Sequence, residues 1–163
     1  MADFASAEQR LAVTCRRYPD LPRRSLTLVR LVRHIHKLVH DAANATLKPY
    51  GLNHPEYNLL MMLYGTPSGT MSPSELADAA GEKSANITRL TNELSDKGLI
   101  ARAASADDRR KLNVSLTPKG LALIERLLPD ICSLLVRQVR DLTAAEQTQL
   151  DKLLKKFLSG LAN

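Results

Sequence analysis

The sequence predicts a mainly α-helical fold interrupted by one two-stranded β-hairpin, and three observations carry that prediction. Apolar side chains recur at i, i+3, i+4 and i+7 along most of the 163 residues, the period of amphipathic helices. Ser, Thr or Asn precedes several of these stripes with Glu three residues on, which is how helices start. Only Ala106–Gly120, ADDRRKLNVSLTPKG, breaks the pattern. There a run of charge gives way to Leu112, Val114 and Leu116 alternating with Asn113, Ser115 and Thr117, the mark of a half-buried strand.

The elements follow in order. Phe4, Ala7, Leu11, Cys15 and Tyr18 stripe a first helix, closed off by Pro19 and Pro22. Ser25 is the expected cap of a long helix with Leu28, Leu31, Val32, Ile35, Leu38, Val39 and Ala42 on one face. Its polar face holds Arg30, Arg33, His34, Lys37 and Asp41, and Pro49-Tyr50-Gly51 ends it. Asn53 with Glu56 boxes the start of NHPEYNLLMMLYG, whose Leu59 to Leu63 are apolar all round, so this helix is expected to be central and buried. TPSGT reads as a turn. Ser72-Pro73-Ser74-Glu75 is a second capping box, opening a short helix that Gly81 stops.

After a brief turn, SANITRLTNELSDKG forms another helix, with Ile87, Leu90 and Leu94 inward and Gly98 as its stop. Leu99–Arg102 and Leu112–Leu116 can pair as the antiparallel hairpin. Thr117-Pro118 launches a long helix that Pro129 is expected to kink. Thr143 and Glu146 cap a last helix striped by Leu150, Leu153, Leu154, Phe157 and Leu158. The chain thus reads as residues 1–52, N-terminal helices; 53–118, a winged helix-turn-helix; and 119–163, C-terminal helices. The striped outer helices are too apolar to stand alone in water, so both end segments are expected to dimerise.

A chain this long can bury roughly 70% of its extended surface, so it needs no disulfide or metal to fold. Lys and Arg outnumber Asp and Glu by 23 to 17, a net charge of +6 that favours a polyanionic partner. Cys15 and Cys132 form neither a metal-ligand spacing nor a disulfide framework. Without a signal peptide or an apolar run long enough for a span, the expectation is a cytoplasmic protein with no membrane partner. No nucleophile turn, glycine-rich phosphate loop or pair of carboxylates in an apolar setting points to an enzyme, and no cofactor is expected. His36 and His40 lie four apart, but Asp41 points about 100° away from His40, so no metal site is expected. Met61 and Met62 read first as core filler, and Cys132 as core.

The helix SANITRLTNELSD differs between its faces. Outward it shows Ser84, Ala85, Asn86, Thr88, Arg89 and Asn92, residues that can enter a major groove, where Arg reads guanine and Asn reads adenine. Such a face can equally be ordinary solvated surface, and the hairpin decides between the two. A hairpin directly after a recognition helix is a wing, and its tip, with Asp108, Arg109, Arg110 and Lys111, can reach an adjacent minor groove whose negative potential attracts arginine. Asp108 sits close enough to pair with Arg110 and hold the tip's shape.

Ser72 to Gly120 resembles the DNA-binding domain of the MarR family of bacterial transcription regulators, with DDRR, the alternating strand and LTPKG matching that family's wing signature. The resemblance extends over nearly the whole chain. RRYPDLP, LVRLVRHIHKL, LKPYGL and NITRLTNELSDKGLI look most like the family's EmrR (MprA)-like branch of multidrug-efflux repressors. It implies a homodimer built from the N- and C-terminal helices, a pseudo-palindromic operator of double-stranded DNA, and a ligand pocket between dimerisation and DNA-binding parts. A small aromatic or phenolic effector is the ligand it implies. Tyr57 with Met61 could sandwich a ring, and His34 with Lys37 could supply cationic donors. The expected function is a ligand-responsive repressor of an efflux or stress-resistance operon. The alternative is a constitutive DNA-binding activator or architectural protein with no small-molecule effector.

Overall fold

The computed structural model describes residues 4–104 and 112–161. The chain divides into two compact units, residues 1–42 and 43–163. The first holds α1, Ala5–Arg17, and most of α2, Arg23–Leu47. Helix α2 begins two residues ahead of the expected Ser25 cap, because the Pro22 carbonyl already accepts the first helical bond from the Leu26 amide at 3.0 Å. Leu28, Val32, Ile35, Leu38 and Val39 form the anticipated stripe, yet all stay exposed in the chain, Leu28 at 58% and Ile35 at 50%.

The second unit holds α3, His54–Gly65; β1, Thr70–Met71; α4, Pro73–Ala80; and α5, Ser84–Asp96. Then come β2, Ile100–Ala104; β3, Leu112–Leu116; α6, Pro118–Gln138; and α7, Ala144–Ser159. All three boxes read from the sequence form: the Asn53, Ser72 and Thr143 side chains each accept from the backbone of a Glu three residues on, and each Glu reaches back. The core is built from Leu59, Leu60 and Leu63 of α3, Leu76 of α4, Ile87, Leu90 and Leu94 of α5, Val114 of β3, and Ile124 and Leu127 of α6. Helix α3 lies at its centre, as its all-round apolarity predicts.

Two points depart from expectation, the sheet and Cys132. The sheet has three antiparallel strands in the order β1-β3-β2, not two. Strand β1 is only Thr70 and Met71, opposite Ser115 and Val114, so it is too short to show a period of two and begins on the last residue of what reads as a turn. Helix α6 is the long helix expected, running from Pro118 to Gln138 with Pro129 inside it. Cys132, expected in the core, is exposed on α6, because that helix turns Ile131 and Leu134 inward instead.

The junction between α5 and α6 is tight. Thr117 donates to the Gly98 carbonyl at 2.8 Å through its hydroxyl and to the Leu99 carbonyl at 3.1 Å through its amide. Lys119 Nζ donates to the Lys97 carbonyl at 2.6 Å. At Gly120 a Cβ would lie 2.1 Å from the Leu99 carbonyl oxygen, so the backbone of α6 touches that of the residue just before β2. At the other end of the unit, α7 buries no residue at all; Leu153 and Leu158 are 57% and 66% exposed. No helix among the described residues is long and apolar enough to cross a membrane.

Candidate nucleic-acid interface

Helix α4 stops at Gly81, which takes a left-handed backbone with φ 62°, and α5 starts three residues later. Ile87, Leu90, Thr91 and Leu94 are buried, which turns Ser84, Ala85, Thr88, Arg89 and Asn92 outward, with Asn86 half-buried at the edge. All six residues picked out from the sequence therefore share the outer side of one helix.

The first turn of α5 is open. Lys83 stands at the N-cap position with no side-chain cap, unlike α3, α4, α6 and α7, whose first turns are each capped by a side chain. An uncapped first turn leaves amide groups and the positive end of the helix dipole for an anion such as a phosphate.

The outer face carries a polar chain running along the helix. Asn86 donates to Glu82 at 2.9 Å, Arg89 donates to Asn86 at 2.9 Å, and Arg89 also donates to Glu93 at 2.6 Å. Arg89 is thereby spread along the surface with its guanidinium oriented by acceptors on both sides. Thr88 bonds back to the Ser84 carbonyl at 2.9 Å, while Arg102 of β2 donates to Thr91 at 2.7 Å and to Asn92 at 2.6 Å. Arg102 thus ties strand β2 to helix α5. Sequence reasoning missed Glu82, Glu93 and Arg102 as parts of this face. The i,i+4 spacings of Glu82 to Asn86 and Arg89 to Glu93 were readable signals; the reach of Arg102 from a strand to a helix was not. Asp108, Arg109, Arg110 and Lys111 lie outside the described residues.

The C-terminal end of α5 is anchored inward. Lys97 donates to the Gly51 carbonyl at 2.8 Å and to Glu56 at 2.6 Å, and the Glu56 side chain is only 2% exposed. The other Glu56 oxygen accepts from the Asn53 amide, so one buried carboxylate both caps α3 and holds α5.

Of the residues considered for a ligand, His34 and Lys37 line one cleft of about 670 Å³ beside Phe4, Ala7, Arg30 and Arg33 in the first unit. The Phe4 and His34 ring centroids are 5.7 Å apart, and His34 Nε2 is buried with no hydrogen-bond partner among the described residues. Lys37 pairs with Asp41, and this hydrogen bond holds the Asp41 carboxyl below its usual value. Tyr57 and Met61 share a face of α3 in the second unit, and burial pushes the Tyr57 phenol above its usual value. His36 and His40 stack at 6.2 Å, and no group of three metal-ligating side chains occurs among the described residues.

The MarR family model matches residues 52–112, the stretch from before α3 to the start of β3. Over 160 residues the chain is 32% identical to the transcriptional repressor MprA of Escherichia coli K12, covering 98% of this chain and 91% of that protein. A crystal structure of a mutant E. coli MarR complexed with operator DNA matches with a TM-score of 0.77 at 26% identity, over 85% of this chain and 99% of the other. S. aureus MepR in its DNA complex matches at 0.76 and 25% identity, over 81% and 96%. The helix-turn-helix, its hairpin and the helices on either side are matched together rather than piecemeal, and on this agreement of sequence and fold the chain belongs to the MarR family.

Proposed function

We propose that this chain is a ligand-responsive transcriptional repressor that binds, as a homodimer, a pseudo-palindromic operator of an efflux or stress-resistance operon. The observation that carries the DNA reading is the outer face of α5. An uncapped first turn there is followed by Ser84, Ala85, Asn86, Thr88, Arg89 and Asn92, with no apolar side chain larger than alanine among them. Arg89 reads a base edge, Asn86 and Asn92 lie on either side of it, and the first-turn amides take a phosphate. Asp108, Arg109, Arg110 and Lys111, which the sequence reads as the wing tip, are the proposed contacts to the adjacent minor groove. MprA is a transcriptional repressor by name, and the MarR and MepR structures contain DNA, which supports the same role here.

The exposed stripes of α2 and α7 support the homodimer, since a second copy is the natural cover for two leucine-rich faces that the chain itself leaves open. Two-fold symmetry then sets the recognition helices about 34 Å apart, one turn of DNA. The effector is a small aromatic or phenolic anion. His34 and Lys37 support it with a cleft that also offers an aromatic wall, cationic rims and an unspent imidazole nitrogen. Tyr57 and Met61 are the proposed ring-sandwiching pair. To empty the operator, the ligand must favour the non-binding state by about 5 kcal/mol.

The test begins with an operator selected from random DNA by the purified protein. Arg89→Ala is expected to cost about 1–3 kcal/mol and relax specificity at one position. Arg109→Ala or Arg110→Ala lowers affinity uniformly and reduces the salt slope by about 1. Wild-type affinity in Arg89→Ala removes α5 from the base-reading role. Release by salicylate-like and uncoupler-like aromatics, weakened in Lys37→Ala or Tyr57→Ala, supports the effector site. No release by any of them favours a constitutive DNA-binding protein.

A further inference from the structure

Within Ser84–Asp96 the one cationic side chain is Arg89, and acids flank it on the same side of the helix. Its Nη1 donates to Glu93 at 2.6 Å and its Nη2 to Asn86 at 2.9 Å, while Asn86 is held in turn by its own donation to Glu82. The Arg89 and Glu93 side chains are 55% and 36% exposed, so the pair lies at the surface, where such a contact adds little to stability. Helix energetics do not ask for it either. An acid four residues after its basic partner is the weaker order of an i,i+4 pair, and Glu93 stands in the last turn of α5, against the helix dipole. On a face that meets a polyanion, a carboxylate is also repelled by the partner.

What Glu93 gains follows from what a guanidinium can bind on a duplex. A phosphate attracts it as a charge, whatever the sequence nearby; a guanine edge offers two neutral acceptors to a planar fork of donors. A carboxylate bonded to the guanidinium offsets its charge and repels an incoming phosphate. It does not exhaust the donors: of five N–H groups, the bonds to Glu93 and Asn86 take two, and a guanine edge needs two more. Held by acceptors on both sides, Arg89 also has less side-chain freedom to lose when it meets a base. The sequence-blind contact is weakened and the sequence-reading one is favoured.

We propose that Glu93 is a specificity-determining positioning residue: bonded to Arg89, and aided by the Glu82–Asn86 link, it keeps that guanidinium set for a base edge and off the phosphate backbone. This role rests on the base-reading placement of Arg89, and it assigns discrimination to a side chain that itself touches no base.

The experiment measures the affinity of the full chain for the selected operator and for a random-sequence duplex of equal length, between about 50 and 200 mM salt. Glu93→Gln, which keeps the side chain's length and helix propensity, should tighten binding to the random duplex. The operator-to-random ratio should fall about tenfold, within the range of one base-reading contact. On random DNA the salt slope should steepen by about 1, the mark of one more phosphate neutralised. Asp96→Asn removes an equal charge from an exposed position of the same helix, out of reach of Arg89, and should leave the ratio within about twofold of wild type. In the Arg89→Ala chain, adding Glu93→Gln should no longer change the ratio, since the residue it acts through is gone. An unchanged ratio in Glu93→Gln overturns the proposal. So does an equal fall in Asp96→Asn, or an undiminished effect of Glu93→Gln in the Arg89→Ala chain. If Arg89→Ala itself keeps the wild-type ratio, the base-reading placement of α5 falls and this role falls with it; if Glu93→Gln alone is silent, that placement stands.

Discussion

Helix α3 opens on Asn53 with Glu56 three residues later, and α7 opens on Thr143 with Glu146 in the same relation. Both then carry leucines at helical spacing. In α3 the leucines Leu59, Leu60 and Leu63 are buried, and Glu56 goes on from its capping role to hold Lys97. In α7 nothing is buried, Glu146 bonds only its own cap, and Leu150, Leu153, Leu154 and Leu158 face outward. The capping box is a local device that works identically wherever it stands. What the stripe does is decided by what is available to cover it: for α3 the rest of its own unit, while α7 finds no cover among the described residues and is where we propose a second molecule.

The sharpest way to break this contrast is to place charge on the α7 stripe. Leu154→Glu with Leu158→Glu should convert a dimer to a monomer, since each carboxylate would be desolvated without a partner at a cost of several kcal/mol. Sedimentation at micromolar concentration reads this directly, and an unchanged dimer would take α7 out of the interface. Next in size, Leu60→Ala in α3 should cost about 2–5 kcal/mol in urea unfolding, because it opens a cavity in a fully enclosed core.

Lys97→Met tests the second task of Glu56. It leaves a buried carboxylate facing only the Asn53 amide, and should cost about 1–3 kcal/mol, less than a fully buried pair because the Lys97 side chain is 39% exposed. Adding Glu56→Gln to that variant should recover part of the loss. The α7 counterpart gives the smallest effect. Hydrogen bonds from the Thr143 amide and hydroxyl hold the Glu146 carboxyl below its ordinary value of 4.5. Its contribution is therefore present above that value and fades as pH falls through the lower, folded one. An NMR titration of Glu146 should show a midpoint below 4.5 that rises in Thr143→Ala.

The same contrast explains what could be read from the sequence. Caps, stops and stripes are written in neighbouring residues, so the helix starts at Asn53, Ser72, Thr117 and Thr143 and the stop at Gly81 were legible. The six outward residues of α5 were legible too, because burying Ile87, Leu90 and Leu94 dictates where the others point. Strand β1 was not, since two residues carry no period and their pairing depends on a strand more than forty positions away. Neither was the exposure of Cys132, nor the grip of Arg102 on Asn92. Each depends on which face a distant element presents. Of the four ligand candidates, His34 and Lys37, three apart on one helix, share a cleft; Tyr57 and Met61 belong to the other unit.

The contact at Gly120 has a mechanical consequence. With the backbones of α6 and Leu99 touching there, and with Thr117 and Lys119 bonded to the Gly98 and Lys97 carbonyls just past α5, the joint leaves little slack for one helix to slip along the other. It acts as the welded end of a lever. Helix α5 has 13 residues, about 20 Å, so if it turned with α6 as one body, a tilt of about 5° would move its Ser84 end by about 1.7 Å. Functional groups generally need to sit within about 0.5 Å of their productive position, so a small rotation at the joint is magnified past tolerance at the tip. Stiffness at one glycine is thus what lets a modest displacement elsewhere in this unit be felt at Ser84.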